Sequence, residues 1–260
     1  MTEAGHRVGV SADETLRVLR DWNDLVWGRC DWGRVPEFAG PEYTRHEPNG
    51  TRTVAAEDLA REIRGRYSEP VRFDYVAFAE DDMAFVTWTM LDRPGGPISG
   101  VQAYRVAGGK LVETWISAMP AVVWPSPPPI GEGDPEANKR LLCRWYEEMY
   151  EQRRFEELAP QLCGPVFTRH EASGTFDVTA EEHGARLATA VAARDAEVGA
   201  TAMISAYRVF AAGDRVGVIA DSGRTGSYVQ TWRVENTKFV ESWWAGFASV
   251  SWDLSQGGSE

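Results

Sequence analysis

Leu16, Leu19, Trp22, Leu25 and Val26 recur at helical spacing behind Ser11, and Glu14 three residues on completes a capping-box signature. The spacing predicts a long amphipathic helix ending near Gly28. A second such helix is predicted where Asp134 stands as N-cap and Pro135 as first helical residue, with Leu141, Leu142, Trp145, Met149 and Tyr150 on its apolar side. Two further helices are expected over residues 54–66 and 179–194, the latter opened by Thr179 and Glu182 as another capping box. Elsewhere apolar and polar residues alternate, which predicts strands over 71–78, 83–91, 100–106 and 111–119, and again over 201–210, 215–220, 228–234 and 239–247. Turns at Ala107-Gly108-Gly109 and Glu235-Asn236-Thr237 make antiparallel hairpins of them.

The pattern is said twice. Tyr43-Thr44-Arg45-His46-Glu47-Pro48-Asn49-Gly50-Thr51 recurs as Phe167-Thr168-Arg169-His170-Glu171-Ala172-Ser173-Gly174-Thr175, 124 residues later. Val101-Gln102-Ala103-Tyr104-Arg105-Val106 recurs as Val229-Gln230-Thr231-Trp232-Arg233-Val234, and Lys110-Leu111-Val112-Glu113-Thr114-Trp115 as Lys238-Phe239-Val240-Glu241-Ser242-Trp243, both shifted by 128. So long a period means duplicated domains rather than a solenoid. The expected division is a first domain over 1–120, a proline-rich semi-rigid linker over 121–134 and a second domain over 135–255. The order helix, short strand, helix, meander predicts an α+β unit in which a curved antiparallel sheet wraps on helices.

Composition narrows the partners. The formal charge of −12 repels phosphate backbones, so nucleic acid is not expected as a partner. No apolar run approaches the ~20 residues of a membrane span, and the first ten residues lack a signal-peptide core, so a soluble cytoplasmic protein is expected. Cys30, Cys143 and Cys163 lack metal-ligand spacing and are expected to be reduced and buried. There is no Gly-rich phosphate loop and no His/Cys cluster, so neither metal nor cofactor is expected.

Three features, each present in both halves, resemble the SnoaL-like branch of the nuclear-transport-factor-two-like fold. They are the aromatic-x-x-His block, the Gln-x-aromatic-Arg strand, and Lys-Leu/Phe-Val-Glu-x-Trp as the last strand. The resemblance implies two tandem cone-shaped sheets, each enclosing an apolar pocket, and an intramolecular pseudo-dimer. The chain would then be a monomer of that kind or a homodimer. It further implies a cyclase or isomerase acting by acid/base chemistry on a hydrophobic, polyketide-like small molecule. The fold also hosts epoxide hydrolases and plain binding proteins, so the pocket residues must decide.

His46 and His170 are the candidate proton shuttles, since an imidazole in an apolar pocket can move protons near neutral pH. Glu47 resembles the general base of ketosteroid isomerases, yet adjacent strand residues face opposite ways, so His46 and Glu47 are not expected in the same pocket. Asp74 and Asp221 are candidates for a second acid/base. Gln102 and Gln230 are expected to hold a substrate carbonyl, with Tyr104 and Trp232 on the same faces. Trp22, Tyr146, Trp115, Trp243 and Arg224 complete the expected binding walls. Glu113 and Glu241 are read as facing outward or pairing with an Arg, and the acid that cyclases place after the Trp is Ile116 or Trp244 here. That loss favours a sequestering protein. For polyether-type epoxide opening, Asp31 with Glu57 or Asp58 is the available pair, whereas the second half offers Phe155 opposite Glu181 and Glu182.

Overall fold

A computed structural model describes residues 10–199, 204–223 and 225–254. Helix α1 (Ala12–Asp21) starts where the Ser11 hydroxyl accepts the Glu14 N–H, and it runs on into a π-helical turn over Trp22–Trp27 closed at Gly28. A short 3-10 turn (Trp32–Arg34) and α2 (Val35–Phe38) lead into strand β1 (Ala39–Glu47), hairpin strand β2 (Gly50–Val54) and α3 (Ala56–Arg66). The meander β3 (Phe73–Glu80), β4 (Met83–Met90), β5 (Ile98–Ala107) and β6 (Lys110–Pro120) follows.

The second half repeats the order. Helix α4 (Pro135–Arg144), capped by the Asp134 carboxylate on the Ala137 N–H, continues into a π turn over Trp145–Tyr150. Then come α5 (Phe155–Leu162), β7 (Cys163–Glu171), β8 (Gly174–Thr179) and α6 (Ala180–Val198), the last with the reciprocal Thr179–Glu182 capping box expected from the sequence. Strands β9 (Ala206–Ala212), β10 (Arg215–Asp221), β11 (Ser227–Glu235) and β12 (Lys238–Trp244) close the sheet. The strand expected over 201–210 begins at Ala206, and residues 201–203 lie outside the described residues.

Each sheet has six strands, in the orders β2-β1-β6-β5-β4-β3 and β8-β7-β12-β11-β10-β9. The expectation of antiparallel sheets needs one correction. The pairs β1–β6 and β7–β12 are parallel, because each first strand is separated from the last by the whole meander and enters beside it in the same direction. In each half one sheet face packs on that half's helices: Val18, Leu19, Trp22 and Ile63 meet Val86 and Tyr104, and Leu142, Trp145, Leu158 and Val191 meet Val218 and Trp232.

The opposite faces pack on each other. Phe85, Val101, Ala103 and Trp115 join Ile219, Val229 and Trp243 in one buried cluster. Thr87 and Thr231 hydroxyls meet at 2.8 Å across it, and the Val229 N–H donates to the Ser117 hydroxyl at 2.9 Å. All eight residues of β4 are buried in consequence, rather than alternating. Covering a sheet on both faces removes the alternation that a solvated face would leave. The tandem chain thus builds its pseudo-dimer internally, about an approximate twofold axis.

Near that axis the halves are complementary rather than identical. Phe85 pairs with Ala103 and Gly217 with Thr231, so Phe85 and Gly217 hold equivalent places in the repeat. A Cβ on Gly217 would lie 2.6 Å from the Phe85 ring. Two equal large side chains would collide here.

The proline-rich stretch after β6 forms no helix or strand, yet it is not a loose strap. Trp124 is buried, its backbone N–H donates to the Ser99 hydroxyl at 3.0 Å, and its carbonyl accepts from Thr89. Cys163 is buried, but Cys30 and Cys143 are only half-buried, a correction to the expectation for all three; all three are free thiols.

Candidate functional site

Each half encloses a cavity between its sheet and its helices, about 420 Å³ in the first and about 370 Å³ in the second. The π turns help to build both. An i→i+5 turn brings residues five apart onto one face, and Trp22 with Trp27, like Trp145 with Tyr150, line the two cavities from those turns. Gln102 and Tyr104 line the first, with Glu47 and Arg45 at its β1 wall. Gln230, Tyr228 and Trp244 line the second, with Glu171 and Arg169 in the matching places.

The walls exchange bulk. Trp88 opposes Gly100 in the first half, while their equivalents in the second are Ala220 opposing Tyr228. A Cβ on Gly100 would lie 2.7 Å from the Trp88 ring, so one large group per pair is all the space admits. Tyr228 uses its phenol to meet the Tyr146 hydroxyl at 3.1 Å. Burial pushes both phenols well up from their ordinary values.

The two glutamines differ in availability. The Gln102 amide donates to the Thr114 hydroxyl at 2.8 Å. At the equivalent second-half position stands Ser242, whose hydroxyl has no partner among the described residues, and Gln230 makes no side-chain hydrogen bond among them.

The histidines are a correction. His46 and His170 do not line either cavity; they lie on the other face of their sheets, in the layer between the halves. His46 stacks on Trp115 at 5.1 Å and 7°, and His170 on Trp243 at 4.9 Å and 3°, each Trp being the matching residue of the adjacent parallel strand. His46 Nδ1 lies 2.9 Å from the Thr51 hydroxyl, and its Nε2–H donates to Glu113 at 2.9 Å. A carboxylate can only accept, which fixes the proton on Nε2. Glu113 takes a second bond from Arg105 at 2.9 Å. The chain Thr175–His170–Glu241–Arg233 repeats this with distances of 2.8, 2.9 and 2.7 Å. Burial pushes the Glu113 and Glu241 carboxyls up, but hydrogen bonds from the His and Arg outweigh it and hold both below their ordinary values. The expected Glu–Arg pairing is present; the expected cavity-facing His is not.

Other candidates also move. Trp115 and Trp243 lie in the inter-sheet layer with the histidines. Trp232 and Tyr146 are buried in the second core and line no cavity. Asp74 sits on β3, where the linker's Ser126 hydroxyl donates to it at 3.3 Å. Asp221 ends β10, taking bonds from Ser205 at 2.7 Å and Ser227 at 2.9 Å. Burial raises the Asp221 carboxyl, but those hydroxyls and that of Ser251 outweigh it and lower its pKa. Neither Asp lines a cavity. Arg224 lies outside the described residues. Asp31 and Glu57 are exposed and Asp58 bonds Arg61, so none forms a carboxylate pair in the first cavity.

Glu47 does line the first cavity, on the face opposite His46 as alternation along β1 requires. It is held by Arg45 at 2.8 Å and Arg52 at 3.2 Å, and these outweigh burial to lower its pKa.

One site residue escaped the sequence reading. His183, buried on α6, lines the second cavity, stacks on Trp145 at 5.6 Å, and lies 3.0 Å from an Arg169 guanidinium nitrogen. Desolvation first, then the charges of Arg169 and Arg186, push it from 6.5 down to about 2. The signal was present: His183 falls three residues before Arg186 and four before Leu187, on the inward stripe of the capped helix. The repeat itself hid it, because the first half has Leu59 there.

Among known proteins, a family model for the SnoaL-like domain matches residues 19–114. Residues 19–114 form a SnoaL-like domain. The second sheet repeats its topology strand for strand. A comparison with curated protein sequences finds no match. Similar solved structures include a candidate polyketide cyclase from Acidithiobacillus ferrooxidans (18% identity, 45% of this chain and 91% of that one, TM-score 0.36). An NTF2-like protein from Mesorhizobium loti is similar at 22% identity over 40% of this chain and 90% of that one, with a TM-score of 0.36. An LEH-like epoxide hydrolase from M. tuberculosis is similar at 12% identity over 40% of this chain and 82% of that one, with a TM-score of 0.35. Each aligns with less than half of this chain. Among the described residues no helix is long and apolar enough to cross a membrane.

Proposed function

We propose that the protein binds a hydrophobic small molecule without transforming it, the second-half cavity being its principal site. The carrying observation is the sidedness of the sheets. The histidine that each repeat supplies is on the inter-sheet face, stacked on Trp115 or Trp243, and lines neither cavity. An acid/base cyclase or isomerase needs a proton-transfer group within reach of the substrate and a pKa near working pH. In the cavities Glu47 is held low by two arginines, Glu171 is paired with the Arg169 guanidinium, and His183 is held neutral far below its ordinary pKa. What remains is recognition: aromatic walls for apolar surface, and the Gln230 amide, which has no side-chain hydrogen bond among the described residues.

N-Phenylnaphthylamine, an uncharged probe that fluoresces in apolar surroundings, tests this. Saturable binding by the full chain, weakened when Tyr228→Ala removes part of the second wall, is the expected result. Absence of saturable binding overturns the reading. So does turnover of a polyketide-like substrate that disappears in His183→Gln.

A further inference from the structure

We infer that the second-half cavity is built for an apolar molecule that carries a negative charge, such as a hydrophobic carboxylic acid. The inference rests on the reading of that cavity as a binding site and adds the class of its ligand. The chain is strongly acidic, at −12. Its cavities have the opposite sign. Among the described residues, the second is lined by Arg169, Arg186 and Arg194 against Glu171 alone, and the first by Arg45, Arg66 and Arg93 against Glu47 alone. Sampling an acid-rich surface at random would give the reverse.

Duplication does not account for the surplus. Arg45 and Arg169 are repeats of each other, but Arg66 ends α3 and Arg93 follows β4, whereas Arg186 and Arg194 both lie on α6. Different elements restore the same local charge. In the second cavity Arg169 is only 9% exposed, and it divides its Nη groups between Glu171 and His183. Its Nε has no partner among the described residues. A buried guanidinium with an unused donor is poorly satisfied until an acceptor arrives. Arg186, exposed at the outer part of α6, lies over the Phe176 ring at 5.3 Å, so that an aromatic surface and a cation face the ligand together. Burial does most to depress His183, and the charges of Arg169 and Arg186 lower it further, in keeping with the arginines that line the cavity.

The test compares two probes of near-equal apolar size on the full chain: anilinonaphthalene sulfonate, which is anionic, and neutral N-phenylnaphthylamine. The anion is expected to bind about tenfold more tightly or better, the scale of one charge-assisted hydrogen bond. Arg186→Gln with Arg194→Gln is expected to remove most of that preference while leaving the neutral probe within about twofold. The pair Arg186→Lys with Arg194→Lys keeps the charge and is expected to keep the preference. Equal affinity for both probes overturns the inference, as does a Gln pair that weakens both alike or a Lys pair that behaves as the Gln pair does. In those outcomes the binding reading stands. Binding of neither probe removes both.

Discussion

Trp252, in the tail beyond the last strand, lies over His46 of the opposite half, ring centroids 6.1 Å apart, and its indole N–H donates to the Glu47 carbonyl at 3.3 Å. The relation is reciprocal. Trp124, beyond the last strand of the first half, lies 6.3 Å from His170 and donates to the Glu171 carbonyl at 3.3 Å. Their backbone N–H groups are anchored at home, on Ser227 at 2.7 Å and Ser99 at 3.0 Å. Each half therefore extends an arm that closes the histidine of the other. Both tryptophans are 2% exposed, and truncating such a side chain costs about 3–5 kcal/mol. Trp252→Ala and Trp124→Ala are each expected to lose that much in denaturant unfolding. A loss below about 1 kcal/mol for either would show that the arm is not part of the fold's closure.

The duplicated histidines are then structural groups. His46→Ala removes one of the two donors that hold the Glu113 carboxylate, leaving Arg105, and opens a gap beside Trp115, at a cost of roughly 1–3 kcal/mol. Binding of a neutral apolar probe to the second cavity is expected to change less than about twofold in this variant, measured under conditions where it is folded. A tenfold loss of affinity with unchanged stability would reverse the assignment.

Much of the fold was legible because local signals agreed. Ser11, Asp134 and Thr179 cap the helices expected of them, and the turn at Gly108–Gly109 sits at its expected place. Alternation along β1 correctly separated His46 from Glu47. It could not say which of the two faces the cavity, because β4 and its neighbours are buried on both faces, against helices on one and the sister sheet on the other. Apolar periodicity carries no label for the partner. For the same reason Trp115 and Trp243 read as cavity walls, and Trp124 passed as part of a linker although Trp252 repeats it 128 residues on. His183 was invisible to a reading that looked for chemistry in duplicate.

The halves fit through unequal partners at the axis, and this limits substitution. Gly217→Ala places a methyl group 2.6 Å from the Phe85 ring and is expected to cost about 1–3 kcal/mol by overpacking. Combining it with Phe85→Leu should recover part of the loss, giving a non-additive double-mutant cycle. Additive losses would mean that the two sites do not share this space.

Acid should expose His183. Its ordinary pKa of 6.5 falls to about 2 in the folded chain, through desolvation and the neighbouring Arg169 and Arg186. Between those values the unfolded chain binds a proton that the folded chain refuses, so stability drops as pH falls below 6.5, by up to about 1.4 kcal/mol per pH unit. The lowered carboxyls Glu47, Glu113 and Glu241 act in a different window: their contribution is present above 4.5 and is lost below it. The interval from about pH 6.5 to 5 therefore lies clear of those carboxyls. Replacing it by glutamine keeps a polar planar side chain beside Arg169 and removes the titration. His183→Gln should flatten the fall in melting temperature over that interval relative to the unmodified chain, with the difference between the two curves growing steadily toward pH 5. Parallel curves would mean that the folded chain accepts the proton readily, against both the burial of His183 and the charges of the arginines beside it.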